Sequence, residues 1–253
     1  MRPNLPAGLL SRPIAHRGLH SPGVPENSMA AFRAAVRAGY AIELDVQPAA
    51  DGTPLVFHDY DLQRLTGRAG LIWGLSPDQA AGCRLLGTDE TIPTLSQVLD
   101  EVAGRVPLLV EIKDTDGGLG PAVGDLPARV ADLLAGHEAE VAVMSFNPHA
   151  VAAVHAAAPA LPVGLTSCDF AADDWPGVPA ARRADYARLA DFDRVGASFV
   201  SHDHRDLGNP AVVALAARGV PVLCWTIRSP EQEAAARRIA RNITFEGYLP
   251  EAG

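Results

Sequence analysis

Within its first 113 residues the chain carries, in order, His16-Arg17-Gly18, Glu26-Asn27-Ser28, Glu43-Leu44-Asp45, His58-Asp59 and Glu111-Ile112-Lys113. The acidic pairs lie inside apolar runs, where a carboxylate without a partner is costly to bury. Glu43 and Asp45 are two apart in Tyr40-Ala41-Ile42-Glu43-Leu44-Asp45-Val46. A strand's period of two turns both carboxylates to one face and Ile42, Leu44 and Val46 to the other. Glu111 ends the run Val106-Pro107-Leu108-Leu109-Val110 in the same manner, with Lys113 on its face. Three oxygen donors suit one hard divalent cation, Mg2+ or Ca2+ with Mn2+ as a further option, better than a soft metal. The competing reading is a set of structural salt bridges.

His16 and His58 stand at the ends of short apolar runs, beside these acids in the expected arrangement. A lone histidine at such a place is more often structural. Two of them at the rim of an acidic metal site read as a general acid/base pair, because imidazole titrates near neutrality. Asp59 either orients His58 or caps the turn into Tyr60. Three carboxylates set against a divalent cation, Arg17 and Lys113 leave a net charge of about +1, which a phosphodiester monoanion would balance. Arg17 offers forked donors to phosphate oxygens and Lys113 a point charge.

The elements that must position these groups alternate along the chain. Apolar runs near 12–16, 40–46, 107–112, 141–145, 162–166, 196–200, 220–226 and 242–246 read as strands. Helical stretches fall near 27–38, 94–103, 126–136, 148–158, 182–190, 209–218 and 229–240. Eight strands with intervening helices in 253 residues predict an α/β fold, a closed (β/α)8 TIM barrel forming one domain over 1–253. Residues 50–93 exceed a simple loop and form a small insertion after the second strand. An open doubly wound sheet is the alternative, weakened by the missing glycine-rich dinucleotide fingerprint.

A net charge of −9 and the lack of a Lys/Arg run argue against nucleic acid as a partner. Cys83, Cys168 and Cys224 are widely spaced and contain no CxxC, which predicts reduced thiols and a cytoplasmic protein. No signal-peptide h-region is visible, and the apolar tract 211–227 is interrupted by Arg218, Gly219 and Pro221, so no membrane anchor is expected. The oligomeric state is not legible.

Together these residues resemble the glycerophosphodiester phosphodiesterase family. The resemblance runs nearly the whole chain: His16-Arg17-Gly18, Pro25-Glu26-Asn27-Ser28, Glu43-Leu44-Asp45-Val46, His58-Asp59 with Leu62-Gln63-Arg64-Leu65-Thr66-Gly67, Ile92-Pro93-Thr94-Leu95, Val110-Glu111-Ile112-Lys113, Ser145-Phe146-Asn147 and Trp225-Thr226. It implies a TIM-barrel hydrolase that cleaves a small-molecule glycerophosphodiester to glycerol 3-phosphate and an alcohol. By position it implies a divalent cation on Glu43, Asp45 and Glu111, His16 and His58 as the acid/base pair, and Arg17 and Lys113 on the phosphate. Glu26 and Asn27 would line the site, with Glu26 a supporting ligand. The nucleophile would be water or the neighbouring glycerol hydroxyl.

The chain departs from the family at its C-terminal end, where Ile227-Arg228 replaces Val-Asn and Thr244-Phe245-Glu246-Gly247 replaces an Asp-Arg/Lys-Pro pattern. Arg228 reads either as extra positive charge for the substrate or as a solvated residue before a helix. Trp225 reads either as core or as a wall for the glycerol or alcohol. Ser145 and Asn147 read as substrate contacts or helix caps, and His202-Asp203-His204 as a polar loop. A lysophospholipase D acting on lysolipids shares every catalytic residue, and a non-catalytic phosphodiester- or metal-binding barrel is the rival from another class.

Overall fold

The computed structural model describes residues 2–137 and 139–251. Eight parallel strands, β1 (Ile14–Ala15), β2 (Ala41–Pro48), β4 (Leu108–Ile112), β5 (Val141–Ser145), β6 (Val163–Ser167), β7 (Phe199–Asp203), β8 (Val222–Ile227) and β9 (Asn242–Phe245), make the barrel. β3 (Pro54–Val56) pairs antiparallel with the end of β2, Val46 opposite Val56. The barrel order is β1-β9-β8-β7-β6-β5-β4-β2, and β1 also pairs with β2, so the ring closes. That closure removes the open-sheet alternative.

The helices are α1 (Ala7–Ser11), α2 (Met29–Ala38), α3 (Gln63–Thr66), α4 (Pro77–Ala81), α5 (Leu95–Val102), α6 (Leu126–Ala135), α7 (Pro148–Ala157), α8 (Ala180–Ala187), α9 (Pro210–Ala217) and α10 (Pro230–Ala236). Local chemistry starts several of them. Ser28 accepts from the Ala31 N–H to begin α2, Thr94 and Gln97 form a reciprocal capping box on α5, and Asn147 caps α7 ahead of Pro148.

The strands bury two faces. Ile42, Leu44, Val110, Ile112, Val143 and Val200 pack outward under the helices. Leu9, Ile14, Leu109, Met144, Phe199 and Leu223 fill the lower interior. Each large side chain so buried contributes roughly 1.5–3 kcal/mol. The lower mouth is covered by α1, held there by the Asn242 side-chain amide, which donates to the carbonyls of Leu9 (2.9 Å) and Arg12 (2.6 Å). With apolar side chains filling the bottom, the polar residues of β2 and β4 are left to the upper, C-terminal mouth, where barrel enzymes place their chemistry.

The expected strand at 196–200 lies at Phe199–Asp203 instead. Its polar end is tolerated because His202 finds partners: Nδ1 meets Ser167 Oγ at 2.7 Å and Nε2 meets Asp206 at 3.2 Å. The His202-Asp203-His204 segment is therefore strand followed by a single helical turn, not a loop. β1 is shorter than the run 12–16, and α10 stops at Ala236 rather than 240. Residues 50–93 carry β3, α3 and α4 around an apolar cluster of their own, with Leu55, Phe57, Leu62, Ile72, Leu85 and Ile92 at its centre.

Candidate active site

β2 and β4 build the acidic floor. They pair in parallel with Asp45 opposite Glu111, so Glu43, Asp45 and Glu111 share one interior patch, all three buried. Each offers a carboxylate oxygen within 4.8 Å of the others. Lys113, continuing the same face, sets its ammonium 2.9 Å from Asp45 Oδ1 and 2.7 Å from Glu111 Oε1. Burial pushes the Glu43 carboxyl well above the usual carboxylate range, and the charges of Asp45 and Glu111 push it further. Burial would also raise Asp45, but Lys113, His58 and Arg17 hold it far below. Glu43 accepts the Arg17 backbone N–H at 2.9 Å, and among the described residues its one cationic side-chain partner within 4.0 Å is the His16 ring, at 4.0 Å. Three convergent buried oxygens, one of them short of positive charge, fit a hard divalent cation.

The turn after β1 brings Arg17 and His16 to the rim. Arg17 has a left-handed backbone (φ 54°), a strained conformation for a side-chain-bearing residue, which aims its N–H at Glu43. Gly18 follows at φ 79°, and a Cβ there would sit 2.9 Å from that of Ala31, so glycine is required for α2 to pack this closely. The Arg17 guanidinium reaches Glu26 Oε1 at 2.6 Å and lies 3.4 Å from Asp45 Oδ2. Asn27 donates to Asp45 Oδ2 at 2.9 Å.

Both histidines are held from behind by a carboxylate, and each carboxylate by an arginine. His58 Nδ1 lies 2.8 Å from Asp59 Oδ1, and Arg64 bonds both Asp59 oxygens at 2.6 and 2.9 Å. Arg64 then bonds both oxygens of Glu26, at 2.9 and 2.7 Å, which joins this chain to Arg17. On the other side His16 Nδ1 lies 2.5 Å from Glu246 Oε2, while Arg228 contacts Glu246 Oε1 at 2.6 Å. The bond to His16 and the nearby His20 ring, 3.6 Å away, hold the Glu246 carboxyl far below its ordinary range. An ionised carboxylate only accepts, so the Nδ1 proton of each imidazole is committed to it and Nε2 is free to exchange a proton.

His16, Arg17, Glu43, Asp45, His58, Glu111, Lys113, Trp225 and Arg228 line one cavity of about 200 Å³. Glu26 stands behind it as the acceptor for two arginines rather than with the three acids. Trp225 both packs and lines the cavity: its indole N–H donates to the Ser201 carbonyl at 3.1 Å, its ring packs edge-on to Phe146, and it contributes to the cavity wall. Ser145 and Asn147 serve the backbone and the α7 cap, and Asn147 also donates to Asp114 at 2.7 Å.

Four participants carry no role in the sequence reading: Arg64, Glu246, His20 and Gln47. Gln47 is the next residue on the Glu43/Asp45 face, and its buried amide donates to the carbonyls of Phe57, His58 and Asp59 at 3.2, 2.9 and 2.7 Å. The period of two points to it. Glu246 could be found only as a substitution at the family's terminal acidic position.

A closed TIM barrel with a three-carboxylate centre and two carboxylate-held histidines at its upper mouth defines the class of protein. Residues 16–243 match the sequence pattern described as the glycerophosphoryl diester phosphodiesterase family, and the chain belongs to that family. A glycerophosphodiester phosphodiesterase of Caldanaerobacter subterraneus subsp. tengcongensis is 35% identical over 160 residues, 60% of this chain and 65% of that protein. Human glycerophosphodiester phosphodiesterase 1 is 39% identical over 97 residues, 35% of this chain and 29% of it, so each match spans less than two thirds of the relative's length. The fold is shared with an Oleispira antarctica phosphodiesterase solved in complex with the product sn-glycerol-3-phosphate: TM-score 0.74, 24% identity, 93% of this chain and 92% of that one.

Proposed function

We propose that this protein hydrolyses glycerophosphodiesters to glycerol 3-phosphate and an alcohol, using His16 and His58 as its acid/base pair. The observation that carries the reading is that one cavity joins both imidazoles, three buried acids, Arg17 and Lys113. Relatives named for this activity and the sn-glycerol-3-phosphate bound to the Oleispira structure support the choice of substrate. Glu43, Asp45 and Glu111 would hold one divalent cation, Mg2+, Ca2+ or Mn2+, which when bound draws charge from the phosphoryl oxygens and eases deprotonation of a nucleophilic oxygen. Arg17 and Lys113 orient the phosphodiester monoanion. One imidazole takes the nucleophile's proton as its oxygen bonds to phosphorus; the other gives a proton to the alcohol oxygen as its P–O bond breaks, so water is consumed overall. Each transfer is worth ~10²–10⁴ in rate.

Residues 1–253 act as one unit in this reading, with 50–93 supplying His58. A cytoplasmic setting is supported by three buried free cysteines, and no helix of the described residues is long and apolar enough to cross a membrane. The test is release of glycerol 3-phosphate from glycerophosphoethanolamine with Mg2+, Ca2+ or Mn2+ and after chelation. Full activity in a preparation proven metal-free would remove the cation from the reading. Near-normal turnover in His16→Ala or His58→Ala would remove the acid/base pair.

A further inference from the structure

Beyond His58 a second cavity, of about 400 Å³, opens from the first. The two share His58, Glu111, Lys113 and Phe146 as lining, so they adjoin, and a substrate whose phosphate sits over the acids reaches this space directly. Its size lies within the ~300–1,000 Å³ typical of small-ligand sites. Nothing in the phosphate chemistry requires it.

The walls of this second cavity have a particular character. Tyr60, Phe146 and Trp175 give it three aromatic rings, with Phe146 and Trp175 5.0 Å apart between centroids, and Leu119 closes the side between them. Apart from Lys113 and the His58 ring, its charged lining is acidic. Asp59 is already matched by Arg64 and Glu111 by Lys113. Asp61 and Asp114 have no cationic side chain within 4.0 Å among the described residues. Asp61 accepts only the Gln63 backbone N–H, at 2.9 Å. Asp114 is fixed by neutral donors, the Asn147 amide at 2.7 Å and the Leu119 N–H at 3.1 Å. Burial raises the Asp114 carboxyl above its usual range; those two bonds oppose the rise and the nearby Asp116 carboxylate adds to it. Asp114 is thus a half-buried carboxylate, fixed by two neutral donors, that lines the same cavity as the three rings and has no cationic partner within 4.0 Å among the described residues.

We propose that this cavity is the subsite for the alcohol half of the substrate, and that it selects alcohols bearing a positively charged nitrogen, with Asp114 as counter-ion and Tyr60, Phe146 and Trp175 as cation-binding rings. Aromatic faces attract ammonium groups, most strongly when the cation is desolvated. The inference rests on the phosphodiesterase reading and adds a direction to it. With the alcohol beyond His58, His58 is the imidazole that protonates the departing oxygen, and His16 is the one that deprotonates the nucleophile.

The experiment compares kcat/KM for glycerophosphocholine, whose alcohol is cationic, with glycerophosphoglycerol, whose alcohol is neutral, at saturating Mg2+, Ca2+ and Mn2+. The wild-type protein is expected to favour the cationic substrate by about tenfold or more, the size of one desolvated cation–ring and carboxylate contact. Asp114→Asn, which keeps an oxygen to accept from Leu119, is expected to bring that ratio towards one. Trp175→Leu, away from the backbone bonds that hold Asp114, is expected to lower the ratio as well. Equal rates on both substrates in the wild-type protein, or an unchanged ratio in both variants, overturn the subsite and leave the phosphodiesterase reading standing. No cleavage of either substrate with any of the three metals overturns both.

Discussion

Glu246 Oε2 lies 2.5 Å from His16 Nδ1 although the two residues are 230 positions apart. The contact exists because β9 pairs with β1, Phe245 beside Ala15, which sets the residue after each strand against the other. Arg228, at the end of neighbouring β8, closes on the same carboxylate. The guanidinium is thus paired with Glu246 while remaining on the cavity wall.

Burial lowers the His16 pKa, and the bond that His16 donates to Glu246 opposes that. Removing the carboxylate therefore lowers it further. Glu246→Ala is expected to cut kcat about 10–100-fold, comparable to losing a partner that orients a functional histidine, and to move the His16 limb of the pH–rate profile to lower pH. A slower enzyme with an unmoved profile would mean that Glu246 serves only packing.

The acid centre predicts opposite responses to one substitution. Glu43 is held well above the usual carboxylate range by burial and by Asp45 and Glu111, so its ionised form is disfavoured without a cation. Glu43→Gln is expected to leave the metal-free protein as stable as wild type or more so. The same change should abolish the rise in melting temperature that Mg2+, Ca2+ or Mn2+ gives the wild type, a rise worth about 2.7 kcal/mol at a hundred times Kd. Calorimetric melting with and without metal reads both effects. A full metal-induced rise in the variant would show that Glu43 is not a ligand.

Gln47 ties β2 to the segment bearing His58. Its three acceptors, the carbonyls of Phe57, His58 and Asp59, would be left without this donor in Gln47→Ala. Leaving buried polar groups unmatched costs about 1–3 kcal/mol. Chemical denaturation should show that loss, and kcat should fall with it because His58 loses its seat. Unchanged kcat in a destabilised variant would confine Gln47 to the fold.

Much of this site is written in local spacing. The alternation through Glu43, Asp45 and Val46 identifies a strand with an acidic face, and the same step reaches Gln47. The barrel follows from repeated apolar runs, since each parallel strand buries both faces. What lies beyond the sequence is pairing at a distance. Glu246 looks like a departure until β9 is placed beside β1, and Arg64 gains its role only when the insertion folds Glu26 against Asp59. His202, Asp203 and His204 read as a polar loop because nothing in their neighbourhood reveals Ser167 across the β6–β7 ladder.

The Glu26–Arg64–Asp59 bridge makes a pH-dependent contribution whose sign is fixed by its geometry. Burial alone would raise the Glu26 carboxyl, but the bonds from Arg64 and Arg17 hold it at about 2, against 4.5 for an unperturbed glutamate. A carboxylate with a depressed folded-state pKa stabilises fully above the unfolded value and loses that contribution as pH falls through the folded one. Glu26 therefore supports the fold above about pH 4.5, and this support declines between 4.5 and 2. Other carboxylates titrate across the same range, so the comparison is with Glu26→Gln. The difference in unfolding free energy between wild type and variant is expected to be largest at neutral pH and to shrink steadily below pH 4.5. A difference that stays constant from neutral pH to pH 2 would show that the carboxylate charge of Glu26 contributes nothing and that only its shape is used.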